Sequence, residues 1–172
     1  MDLTRAGLQA DGFVGFTPLA MVDTAIIPQV PGVYVVVYPG QSRPTFLNRS
    51  IAGHFKGKDP TVEVGTLSVK WVEAAEVVYV GKADARRRGG GLRERIREYQ
   101  RYGAGESVGH SGGAYIWQLA ESTNLLIAWR ATGPDERPAA VEAELIDAFY
   151  QAHDALPFAN RNRGHRLQTP AN

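Results

Sequence analysis

Residues 33–38 read VYVVVY and stand between Pro31-Gly32 and Pro39-Gly40. Six consecutive β-branched or aromatic residues, punctuated by Pro-Gly at both ends, predict a strand buried on both faces. No other segment constrains the fold so strongly. VVYVG at 77–81 predicts a second strand and LRERIREYQRY at 92–102 a helix. AYIWQLA at 114–120 and NLLIAWRAT at 124–132 predict two more strands, and a long helix runs from about Pro138 to His153. The order β, β, α, β, β, α lacks regular βαβ alternation, so the expected class is α+β, a small mixed or antiparallel sheet flanked by helices.

The flanking segments are less periodic. Residues 1–30 read as an N-terminal arm, or as a short helix around Thr17 to Thr24. Residues 39–75 mix Gly, Pro, Lys and Asp and read as an insertion, with a turn at FKGKDP (55–60) and a short helix near Val69 to Ala74. The expected organisation is therefore one domain over residues 31–164 carrying that insertion, and a tail at 165–172. A chain of 172 residues, 44% hydrophobic and 22% charged, suits a single core. Its longest apolar run is too short to span a bilayer, and MDLTRAG lacks the apolar centre of a secretory signal. With no cysteine, neither a disulfide framework nor a thiolate metal cage is available. A cytoplasmic location and no membrane partner are the resulting expectations.

Charge is informative through its placement. The net charge is only +1, yet Lys82, Arg86, Arg87, Arg88, Arg93, Arg95, Arg97 and Arg101 crowd one segment, and Arg161, Arg163 and Arg166 gather near the end. Local basic blocks in a near-neutral chain point to a polyanion, with nucleic acid the commonest. Gly81-Lys82 closing a strand suggests a phosphate-binding P-loop, but the pattern fails. A P-loop needs glycine at the position of Glu76 and Ser or Thr at that of Ala83, and it enters its helix directly, whereas RRRGGG intervenes here. Candidate nucleic-acid contacts are Gly81, Arg86, Arg87, Arg88, Arg93 and His110; a solvated loop at 86–88 and a glycine-rich turn after His110 are the competing readings. FKGKDP, with His54 beside it, is either a DNA-contacting loop or a solvated turn.

Two helices carry one misplaced charge each. At about 100° per residue, Leu92, Ile96 and Tyr99 form the packing stripe of the first, with Arg93, Arg97 and Arg101 pointing away. Arg95 lies at the edge of that stripe, either as a structural ion pair or as a fixed phosphate clamp. In the second, Val141, Leu145, Ala148, Phe149 and Ala152 share a face that Ile146 extends, and Glu142 falls inside the apolar arc while Glu144 and Asp147 fall outside. A carboxylate on the core side must be paired, capped or metal-bound. It is either a first-turn residue favoured by the helix dipole or a ligand for a hard cation such as Mg²⁺.

Together these residues resemble the GIY-YIG nuclease superfamily. Gly32-Val33-Tyr34 is similar to its first motif and Tyr79-Val80-Gly81 to its second, each with valine for isoleucine. LRERIREY resembles the family's helix, Glu142-Ala-Glu-Leu-Ile its metal-binding E-x-x-L-I, and Pro157-Phe-Ala-Asn160 its closing P-x-x-N. The departures are a long spacer between the tyrosine motifs, the inserted RRRGGG, and a long stretch from Glu142 to Pro157. The resemblance implies a divalent-metal-dependent endonuclease using Mg²⁺ or Mn²⁺ on DNA, expected to be double-stranded. It implies Glu142 as metal ligand, Arg95 as phosphate clamp, Tyr99 as a supporting tyrosine, Lys82 beside the reacting groups and Asn160 orienting the metal site or backbone. Tyr34 or Tyr79 would take the proton from water, with Tyr34 preferred, through a phenol pKa lowered from about 10 by Lys82, Arg95 and the metal. The long spacer resembles restriction-type members. Repair or mobile-element nucleases, or a binding module without catalysis, are the alternatives.

Overall fold

The computed structural model describes residues 2–40, 42–85, 89–110 and 112–163. Four strands, β1 (Val14–Pro18), β2 (Gly32–Val37), β3 (Val77–Ala83) and β4 (Leu126–Ala131), form one sheet. Its order is β1-β4-β2-β3 and every pairing is antiparallel. The helices are α1 (Arg5–Ala10), α2 (Val64–Lys70), α3 (Gly91–Gly103) and α4 (Pro138–His153). The class is α+β, as the element order predicts. Among the described residues no helix is long and apolar enough to cross a membrane.

β2 explains the arrangement. All six of its residues are buried, so each face of the sheet needs its own cover. On one face Tyr34 and Val36 join Ile127 and Trp129 of β4 and the stripe Leu92, Ile96 and Tyr99 of α3. On the other, Val33, Val35, Val80 and Ala128 meet Val141, Leu145, Ile146 and Phe149 of α4. Each such side chain contributes about 1.5–3 kcal/mol on leaving water. Gly32 opens the strand where the chain passes closest to its neighbour: a Cβ there would strike the Arg130 carbonyl. The helix phases agree with the sequence at Leu92, Ile96, Tyr99 and Phe149, but Ala152 of α4 is exposed, because α4 leaves the sheet before its last turn.

Several expectations are corrected. The N-terminal segment is not a detached arm. Its β1 is an edge strand, and Leu8, Phe13 and Phe16 are buried against the α4-side core. The helix expected around Thr17 to Thr24 is absent; the chain there is β1 followed by a 3₁₀ turn at Thr24–Ile26. A bulge between Gly15 and Thr17 hides the strand's alternation from a pattern search. AYIWQLA is a 3₁₀ turn, Ala114–Gln118, rather than a strand. All five residues are buried, and Gly113 enters at φ 67°, which curls the chain before any pairing forms. The Gln118 side chain then fastens this turn to the backbone of Leu47 and Val62. Within 39–75 the helix lies at Val64–Lys70, earlier than expected, and FKGKDP is an exposed turn. This segment is part of the core rather than an appendage: Leu67 is fully buried, and Trp71 stacks edge-on against Tyr38 and Phe158.

Leu8→Ala separates an integral N-terminus from a trailing one. Removing this fully buried side chain is expected to cost about 2–5 kcal/mol and lower Tm by roughly 4–20 °C at about 2–4 °C per kcal/mol. Differential scanning calorimetry showing an unchanged Tm would contradict the assignment.

Candidate active site

β3 is the outer strand, and its free edge faces the segment that follows α4. α4 ends at Asp154 in the left-handed region, and the chain doubles back along β3. Ala159 donates its N–H to the Val78 carbonyl at 2.8 Å. The Asn160 side chain then acts as one more residue of strand: it accepts from the Val80 N–H and donates to the Val80 carbonyl, both at 2.9 Å. Asn160 is buried, so these bonds replace water at peptide groups that β2 cannot reach.

This edge brings the two faces of the sheet together in a cavity of about 500 Å³. β3 supplies Tyr79 and Lys82, α3 supplies Arg95, α4 supplies Glu142, and the closing segment supplies Asn160 and Arg161. Asp84 and the pair Gly112-Gly113 complete the wall. Glu142 is half-buried whereas Glu144 is exposed, the phase the helical geometry predicts. Burial pushes the Glu142 carboxyl up to about 7, and the charge of Asp84 adds to the rise, against the pull of Lys82 and Arg95. Lys82 is engaged in a close ion pair with Asp84. Arg95 is half-buried and lies 3.4 Å from the Glu98 carboxylate. It makes the ion pair that is one of the two readings of its position, and it also lines the cavity.

Behind the cavity lie three tyrosines. The rings of Tyr34, Tyr79 and Tyr99 sit with centroids 5.9–6.2 Å apart. Tyr99 donates to the Gly113 carbonyl at 3.0 Å and so holds the glycine wall in place. Gly112 leaves room for Tyr79: a Cβ there would strike its hydroxyl and come within 3.9 Å of Arg95. Tyr34 packs on Gly81, where a Cβ would lie 2.5 Å from its ring. Its hydroxyl is buried without a hydrogen bond of good geometry, yet lies close enough to the Tyr79 hydroxyl and the Arg95 guanidinium for both to act on its ionisation.

The geometry revises the expected proton acceptor. Tyr34 is fully buried and does not reach the cavity; Tyr79 lines it. Burial raises the Tyr34 phenol above its ordinary value, with the Arg95 charge pulling the other way, and raises Tyr79 and Tyr99 further. Lys82 is not among the charges that lower any of them; its charge acts on Glu142 instead. In the free protein burial thus outweighs the Arg95 charge at all three phenols, so the expected lowering would have to come from a bound cation.

Tyr79, Lys82, Arg95, Glu142 and Asn160 converge, then, with Tyr34 and Tyr99 directly behind them. Three expected nucleic-acid contacts are placed elsewhere. Gly81 is buried against the Tyr34 ring. Arg93 spends its guanidinium on the Ile27 and Ala25 carbonyls, at 2.7 and 2.8 Å, tying α3 to the turn before β2. His110 is buried, its ring 4.7 Å from that of Tyr99, so it offers no surface to a phosphate. Arg86, Arg87 and Arg88 lie outside the described residues. Sequence reasoning missed Asp84 and placed Arg161 only in the basic group near the end, not in the site. Asp84 follows Lys82 by one strand period and Arg161 follows Asn160 directly, so extending each motif by its own spacing finds both.

No family model, no curated protein and no solved structure matches the chain. The site stands on its geometry alone.

The raised Glu142 pKa sets a pH dependence of stability. A carboxyl at about 7 in the fold and near 4.3 unfolded favours the native state fully below the lower value, and that advantage disappears as pH rises through the higher one. Wild-type Tm in metal-free buffer is expected to fall relative to that of Glu142→Gln between about pH 4.5 and 7.5. Parallel Tm curves across this window would show that Glu142 is not desolvated.

Proposed function

We propose that this protein is a divalent-metal-dependent endonuclease acting on double-stranded DNA. The observation that carries the reading is the meeting of Arg95 and Glu142, from helices on opposite faces of the sheet, in one cavity beside Tyr79 at the edge of β3. Hydrolysis of a phosphodiester adds water to phosphorus and breaks one ester P–O bond, so charge must be met on the phosphoryl oxygens and on the leaving oxygen. The half-buried guanidinium of Arg95 suits the first task. It is held by Glu98 and loses little freedom on binding a phosphate.

The donor set fits a hard cation. Among the described residues no group of three or more His, Cys, Asp or Glu occurs, and the cavity presents the carboxylates of Glu142 and Asp84. Mg²⁺ takes few protein carboxylates and keeps several waters. A carboxylate that desolvation leaves at about 7, despite the pull of Lys82 and Arg95, gains from a bound cation the compensation those two side chains leave incomplete. Mg²⁺ or Mn²⁺, when bound, supplies polarisation of the phosphoryl oxygen and stabilisation of the leaving group.

Tyr79 serves in this reading as a neutral phenol that orients the attacking water by hydrogen bonding, its raised pKa keeping the proton on Oη. Tyr34 stiffens Tyr79 from behind, and Tyr99 fixes the glycine wall. Asn160 holds the β3 edge, hence the spacing of Tyr79 from Glu142. The chain contains no cysteine, which suits DNA processing in a reducing, cytoplasmic compartment. Restriction or another defence role accords with the long segment between the two tyrosine motifs.

Supercoiled plasmid incubated with pure protein and Mg²⁺ or Mn²⁺ tests the reading. Nicked and linear products are expected from wild type and none from Glu142→Gln. Arg95→Ala is expected to lose about 10²–10³ in kcat with little change in DNA affinity. Tyr79→Phe is expected to lose about 10²-fold, whereas Tyr34→Phe retains most activity; the reverse order would return the proton-handling role to Tyr34. DNA binding without cleavage under any metal would leave a binding module in place of an enzyme.

A further inference from the structure

Outside the reacting groups, one aromatic ring carries two cations. Tyr115, in the 3₁₀ turn that follows Gly112-Gly113, has the Arg161 guanidinium 5.2 Å from its ring centroid and the Lys70 ammonium 5.9 Å from it. Tyr115 itself is buried and braced by Phe158 at 6.1 Å, so the platform is rigid. Neither cation has a carboxylate within ion-pair distance among the described residues. Arg161 borders the Glu142 cavity, and Lys70 borders a second hollow of about 430 Å³; Asn160 lines both. The closing segment at Asn160 thus separates the two hollows that the pair borders.

We propose that Lys70 and Arg161, seated on Tyr115, form a phosphate clamp that holds the DNA backbone beside the scissile position. The proposal rests on the nuclease reading and names how that site takes its substrate. Two like charges held at one ring raise the local positive potential, and a polyanion backbone is the partner of that chemistry. The ring attracts each cation electrostatically and limits where its long side chain can go. Contacts of this kind position a duplex without reading its sequence. Lys70 comes from the segment between the two tyrosine motifs and Arg161 from the chain end, so the clamp also gives that long segment a task in substrate binding.

The test is fluorescence anisotropy of the full chain with a fluorescein-labelled duplex in EDTA, titrated across a range of salt concentrations. Replacing both cations in Lys70→Ala/Arg161→Ala is expected to weaken binding about tenfold and to reduce the slope of log K against log salt by about 1.8, or 0.9 per phosphate contact. Tyr115→Phe keeps the ring and is expected to keep the wild-type slope, a control that does not perturb the fold. A slope unchanged in the double variant overturns the clamp. Cleavage of plasmid by wild type together with that unchanged slope overturns the clamp alone and keeps the nuclease. A reduced slope in a protein that cuts no DNA with any metal supports the clamp and removes the nuclease reading. Wild-type protein that binds no DNA overturns both.

Discussion

An edge strand covered on both faces must still satisfy the peptide groups along its open side, and in this fold the Asn160 amide does so for Val80. Each peptide group left buried without a partner costs about 1–3 kcal/mol. The segment Pro157 to Asn160 is thus bound to β3, and through it α4 is fixed against the sheet. Glu142 then cannot move independently of Tyr79. The constraint that closes the sheet is the one that spaces the carboxylate, the phenol and, from the far face, the guanidinium.

The same closure creates a local conflict. A carboxyl raised to about 7 and a tyrosine hydroxyl buried without a well-formed hydrogen bond oppose folding at neutral pH, and both lie beside one strand with the half-buried Arg95. The two cores bear the cost elsewhere, in the apolar sides of β2 and the stripes of α3 and α4. Such concentration of unfavourable groups in one cavity is the physical mark of a site built to meet a charged ligand.

Much of this was legible in sequence, for identifiable reasons. VYVVVY has no polar face, so its central position follows from composition alone. The helix boundaries at Pro138 and His153 and the inward phase of Glu142 follow from periodicity. Arg95 was placed at its stripe edge by the same arithmetic. The failures share a cause, which is tertiary context overriding local pattern. β1 carries a bulge at Gly15 that breaks its alternation, and AYIWQ is turned into a 3₁₀ turn at Gly113 and fastened there by Gln118, which its β-favouring residues do not reveal. Tyr34 against Tyr79 was undecidable from spacing. Both face the α3 side of the sheet, and only the position of Gly81 against the Tyr34 ring shows which phenol is sealed. Arg93 looked free because its acceptors, the Ala25 and Ile27 carbonyls, lie more than sixty residues away.

The central claim is that the desolvated carboxylate of Glu142 is a cation site completed by the closure of the β3 edge. Titration calorimetry of metal-free protein with Mg²⁺, at several pH values around 7, measures it directly. The account predicts a single site whose affinity rises as pH passes through about 7, because proton and metal compete for one carboxylate, and whose binding heat vanishes in Glu142→Gln. Binding that is independent of pH and equally strong in Glu142→Gln, or no binding by wild type at any pH, would contradict it.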